Sequence, residues 1–159
     1  MLKIIGALLV TVMTTSIGIF LSKSLNERVK KLALIRQALE EISIQIRFKA
    51  LTVFELLDEL TKNPAFGELS FLKIAESSPH NIPFSETWRN SLNDWKENSL
   101  KKEDIDLITD IGTNLGCTDI EGQLSTLELQ KTKIEFLHKT ALEEYQKKSK
   151  LYKSLGLLL

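Results

Sequence analysis

The side chains best equipped for chemistry in this chain are carboxylates. Glu103, Asp104, Asp106 and Asp110 fall within eight residues, and Asp119 and Glu121 follow closely. Paired acids can hold a divalent cation, or divide into a general acid and a general base. Either task needs further parts, such as histidine ligands or a glycine-rich ligand loop. The two histidines, His80 and His138, lie far apart with no ligand-like spacing. The one cysteine, Cys117, makes neither an internal disulfide nor a cysteine-rich metal site. The patterns G-x-x-x-x-G-K-[ST], H-E-x-x-H, C-x-x-C and G-x-S-x-G do not occur. The acids therefore read as a solvated face, with Asp104, Asp106 and Asp110 as a patch suited to a basic partner. Trp88 and Trp95 could stack a ligand, but an aromatic stripe at that spacing more often serves a core. No catalytic residue, metal, cofactor or small-molecule substrate is expected.

Composition narrows the classes further. With 159 residues, 43% of them hydrophobic and 26% charged, the chain has the balance of one ordinary globular domain. Lys+Arg and Asp+Glu both number 21, so the basic excess typical of a general nucleic-acid binder is missing, and no nucleic acid is expected.

The elements that must position these residues begin with an unusual N-terminus. From Ile4 to Leu21 there are 18 uncharged residues. As a helix they would extend roughly 27 Å, enough to cross a bilayer core with little tilt. A cleaved signal peptide would want a shorter apolar region and a small-x-small site, which Ser16 to Ser24 does not offer. A buried globular helix is a second option, but the uncharged stretch is long for one. The favoured reading is an uncleaved transmembrane anchor over residues 1–22. Ala7, Thr11, Thr14, Thr15, Gly18 and Ser22 give it a small-residue face on which another helix could pack. Only Lys3 precedes the span, whereas Lys23, Arg28, Lys30, Lys31 and Arg36 follow it, so the domain at 23–155 should be cytoplasmic.

Downstream the apolar period is helical. Leu25, Val29, Leu32, Ile35, Leu39, Ile42 and Ile46 mark a core-facing helix that nothing separates from the anchor. Thr52 and Glu55 fit a capping box before a short helix that Asn63-Pro64 ends. Short helices are expected from Phe66 to about Ser77, around Trp88 to Trp95, and from Ile105 to Leu115, with a loop from Ser77 to Pro83. Gly112, Leu115, Gly116 and Asp119 read as a tight inter-helix turn, with Gly116 left-handed. Thr118 and Glu121 fit a second capping box, opening a last, longest helix to about Leu155. Within that helix His138 reads as solvated or snorkelling. Lys147, Lys148, Lys150 and Lys153 then precede an abrupt apolar end, so residues 156–159 read as the start of a truncated second transmembrane helix. If the first and last helices run antiparallel, these lysines join Arg28, Lys30 and Lys31 in one basic collar against membrane lipid. The expected fold is all-α: an N-terminal transmembrane helix, then a bundle of about six helices with long first and last members.

Several of these pieces together resemble the stage III sporulation protein AB family of endospore-forming bacteria. They are the opening Met1-Leu2-Lys3 with its threonine-bearing span, Leu39 to Phe48, Gly112-x-x-Leu115-Gly116-x-x-Asp119, Gln123, and Lys153-Ser154-Leu155-Gly156. Members often carry Gly after the aromatic at Phe48 and Pro near Thr52; Lys49 and Thr52 stand here instead. The resemblance implies a component of the multiprotein channel between mother cell and forespore, in the mother-cell membrane. It implies a soluble domain similar to the six-helix cytoplasmic domains of type II secretion and type IV pilus platform proteins. It also implies a non-enzymatic scaffold that contacts a cytoplasmic secretion-type ATPase and other channel membrane proteins. A membrane-anchored adaptor or signalling domain unrelated to secretion is the competing reading, and a metal-dependent hydrolase on the acidic cluster a remote third.

Overall fold

The computed structural model describes residues 2–49, 51–79 and 81–157; the side chains of residues 2–4, 7, 8, 11, 15 and 152–157 lie outside that description. Among the described residues there are six α-helices, one 3-10 turn and no strand. The helices are α1 (Leu2–Lys49), α2 (Val53–Lys62), α3 (Phe71–Glu76), α4 (Phe84–Asp94), α5 (Lys102–Asn114) and α6 (Ile120–Leu157), and the 3-10 turn is Pro64–Phe66. Two long helices and four short ones make up the expected all-α bundle.

No proline falls within α1, and it runs 48 residues without interruption through the boundary expected at residue 22. Its core stripe follows the expected phase: Leu32, Ile35, Leu39, Ile42 and Ile46 are buried. The long partner α6 lies antiparallel to it. Glu40 pairs with Lys131, Arg36 with Glu135 and Arg28 with Glu144, so one helix steps down as the other steps up. Leu127, Ile134 and Ala141 supply the α6 side of the core.

The short helices complete the head. Thr52 and Glu55 form the capping box: the Thr52 N–H donates to Glu55 Oε2 at 2.9 Å, and the Glu55 N–H donates to Thr52 Oγ1 at 3.4 Å. The expected helix from Phe66 to Ser77 is shorter than its pattern suggested. Buried Phe66, Leu69, Leu72 and Ala75 step by three, a period that suits tight turns better than an α-helix. The backbone follows it with bonds from Leu69 N–H to the Phe66 carbonyl and from Leu72 N–H to the Leu69 carbonyl, and α3 starts only at Phe71. Trp88 and Trp95 are core residues. Phe71 packs edge-on against Trp88 with ring centres 5.1 Å apart, and at a tilt against Trp95 at 4.9 Å. The indole N–H of Trp88 donates to the Ile108 carbonyl at 2.8 Å, which satisfies a buried donor and ties α4 to α5.

The first five turns of α1 differ from the rest. Ile5, Leu9, Val10, Val12, Met13, Ile17, Ile19 and Phe20 are all exposed. Among the described residues no helix is long and apolar enough to cross a membrane. Of the small-residue face expected there, Ala7, Thr11 and Thr15 lie outside the described side chains, as do His80, Lys153 and residues 158–159 of the expected second span. Thr14 and Ser16 turn their hydroxyls onto the Val10 and Val12 carbonyls of their own helix.

Candidate docking surface

Helix α5 distributes its acids over different faces. Asp104 is fully buried. Its two oxygens receive a fork from Arg28, Nε to Oδ2 at 2.7 Å and Nη2 to Oδ1 at 2.8 Å. Its Oδ2 also accepts the Lys101 N–H at 2.8 Å, so the same carboxylate closes the open N-terminus of α5. Arg28 is 1% exposed and has two further anions, Glu103 at 3.0 Å and Glu144 at 3.4 Å. Hydrogen bonding to Asp104 raises its already high pKa. Glu144 in turn binds Lys148 and Lys101, and these contacts hold its carboxyl down to about 2.

This cluster corrects two sequence expectations. Asp104 is not part of an exposed patch, and Arg28 does not face lipid. Both are turned inward because each lies in phase with its helix's core stripe: Arg28 with Leu32, Ile35 and Leu39, and Asp104 with Leu107, Ile108 and Ile111. Lys31 is also buried rather than part of the collar; its ammonium reaches Glu68 at 3.0 Å and Glu97 at 3.9 Å. Lys30 pairs with Glu27 at the surface, Lys148 pairs with Glu144, and Lys147 and Lys150 are exposed.

The turn that joins α5 to α6 sets the spacing between them. Gly116 has φ 77°, the left-handed conformation expected, and a Cβ there would come within 2.9 Å of Val53. Leu115 is buried beside it. Gln123 straps the turn: its Oε1 accepts the Gly116 N–H at 3.1 Å and its Nε2 donates to the Thr118 carbonyl at 2.9 Å. The cap of α6 is one residue later than expected. Asp119 Oδ1 accepts the Gly122 N–H at 2.9 Å, whereas Thr118 and exposed Glu121 make no reciprocal box among the described residues. The third residue of the helix is Gly122, which has no side chain to return to a cap. Gly112 is not in the turn at all. It lies buried inside α5, where a Cβ would sit 2.1 Å from the Trp88 ring.

On the outer side, α5 and α6 leave an open groove of about 630 Å³. Glu103, Asp106, Leu107 and Asp110 line one wall, and Thr132, Lys133, Phe136 and Leu137 the other. Asp106 and Asp110 are exposed, and among the described residues neither has a cationic partner. Phe136 is 69% exposed. The structure thus keeps Asp106 and Asp110 on one surface, removes Asp104 from it, and adds an aromatic that the sequence reading did not single out. The signal for Phe136 was its phase, since it falls off the stripe of Ile134, Leu137 and Ala141.

The stage III sporulation protein AB (spore_III_AB) family model matches residues 3–159. The chain belongs to that family. A family relative, the stage III sporulation protein AB of Bacillus subtilis (strain 168), is 27% identical over 161 residues, covering 99% of this chain and 94% of that protein. No solved structure matches. Membership is thus carried by nearly the full length of the chain, not by the Gly112–Asp119 segment alone.

Proposed function

We propose that the chain is a non-enzymatic, membrane-anchored scaffold of the sporulation channel between mother cell and forespore. Its helical head stands on the cytoplasmic side of the mother-cell membrane and docks a secretion-type ATPase and other channel proteins. One observation carries the reading: α1 is a single helix whose N-terminal turns expose large apolar side chains while its C-terminal turns form the core of the head. Exposed apolar surface of that extent is stable when lipid covers it. The Thr14 and Ser16 hydroxyls are satisfied within the helix, as an apolar surround requires. With Arg28 and Lys31 turned inward, the basic collar falls to Lys23, Lys30, Lys147 and Lys150, which are exposed. Antiparallel pairing of α1 with α6 places Lys147 and Lys150 near the level of Lys23.

Cys117 is the natural reporter of sidedness, being exposed and the sole cysteine. The chain should resist carbonate extraction from membranes. Cys117 should react with a membrane-impermeant maleimide only after the cells are permeabilised, and labelling of intact protoplasts would reverse the orientation. Pull-down of the ATPase should weaken when Asp106 and Asp110 are both changed to Lys, and should fall with added salt in the unaltered chain. Binding indifferent to both changes would remove the acidic face from the docking site.

A further inference from the structure

The docking role rests on a surface whose chemistry also defines what it binds. We propose that the α5/α6 groove receives an amphipathic, basic α-helix of a protein partner, with its cations against Asp106 and Asp110 and its apolar stripe over Phe136, Leu107 and Leu137. This inference rests on the scaffold reading and deepens it.

Three observations select that occupant. Asp106 and Asp110 are exposed and make no ion pair among the described residues, so even with Lys133 on the facing wall their carboxylates are free to take a partner's cations. Phe136, 69% exposed beside that wall, is the kind of large aromatic that forms the energetic centre of an interface. The lining repeats along two helices at Asp106–Asp110 and Thr132–Phe136, four residues apart, the spacing with which a third helix interlocks. A small molecule would lie largely uncovered in so open a groove, whereas good ligand sites bury most of their ligand. Anionic lipid and nucleic acid are repelled by the unpaired carboxylates of Asp106 and Asp110. A second copy meeting this face symmetrically would set the same carboxylates against each other.

The test uses the full chain in nanodiscs of zwitterionic lipid, with empty nanodiscs subtracted. The probe is a fluorescent Leu/Lys peptide about five turns long, its Leu and Lys on opposite helical faces. A scrambled peptide of equal composition and a Leu/Glu peptide are compared with it. Anisotropy should show binding of the amphipathic basic peptide alone. Phe136→Ala and Asp106→Lys/Asp110→Lys should each weaken it by at least about tenfold. Glu121→Lys, an exposed acid outside the groove, should leave it unchanged. Equal binding of the scrambled peptide, or indifference to Phe136→Ala, overturns the proposal. Self-association abolished by Phe136→Ala also overturns it, by assigning the groove to a second copy. Carbonate extraction and Cys117 labelling are read on the same variants. An anchored, correctly sided chain that binds no peptide defeats only the groove, and a bound but extractable one defeats only the membrane reading.

Discussion

Asp104 and Asp106 are two residues apart on one helix and share neither surroundings nor task. Asp104 is fully buried, forked by Arg28 and bonded to the Lys101 N–H. Asp106 lies in the open groove and makes no ion pair among the described residues. The difference comes from phase alone, because two residues turn a helix by roughly 200°. An acidic run in sequence is therefore not a patch. It becomes a lock on one face and a surface on another, and the two respond differently to mutation, acid and salt.

The largest contrast should come from opening the lock. Arg28→Met leaves Asp104 buried without its cation, which should cost about 3–5 kcal/mol. Adding Asp104→Leu should restore part of that loss, short by the roughly 1 kcal/mol that Asp104 contributes in capping α5, and urea unfolding of the two variants measures the difference. If the single variant is as stable as the parent, the pair is not the clamp between α1 and α5. Next is the third face of α5, where Gly112 meets Trp88. Gly112→Ala should cost about 3 kcal/mol, near the upper range for overpacking, because a rigid indole lies where the methyl must go. Loss of near-ultraviolet tryptophan dichroism should accompany it.

A smaller cost is expected at the turn that sets the groove's width. Gly116→Val forces a β-branched residue to a positive φ and should lose more than about 1 kcal/mol, read as a lowered Tm. The lock should also be sensitive to acid. The Glu144 carboxyl is held from its ordinary 4.5 down to about 2 by Lys148 and Lys101. Its folded pKa is depressed, so its contribution is present above 4.5 and is lost as pH falls towards 2. Glu144→Gln should therefore be less stable than the parent near neutral pH, and the two urea midpoints should converge near pH 2. The smallest effect belongs to the open face. Asp106→Lys/Asp110→Lys should change stability by no more than about 0.5 kcal/mol, since both groups are solvated. A larger shift would mean that the groove is structural.

Much of this was legible in the residues. The α1 stripe, the Thr52 box, the left-handed Gly116 and the core tryptophans follow from periodicity, caps and glycine geometry, which are local. The inward turn of Arg28 was not legible, since its partner Asp104 lies 76 residues away and a cation after an apolar span looks like a membrane flank. Its phase with Leu32 and Ile35 was a readable clue that its charge outweighed. The slip from Thr118 to Asp119 as cap came from two adjacent residues with nearly equal capping ability. The groove needed α5 and α6 side by side, a relation that no single helix encodes.

From Ile19 to Lys49, α1 contains neither glycine nor proline, and the Arg28 fork ties it to the head. With the uncharged turns seated in a bilayer, the rod beyond Leu21 is about 42 Å long and has no hinge. So seated, it would work as a lever. A tilt of about 10° at the membrane, within the ordinary range for spans, would sweep the far tip by about 7 Å. If the proposed anchor holds, whatever fixes the angle of the first five turns would also aim the tip of the head, and bilayer thickness would become a mechanical input to a surface well outside the lipid.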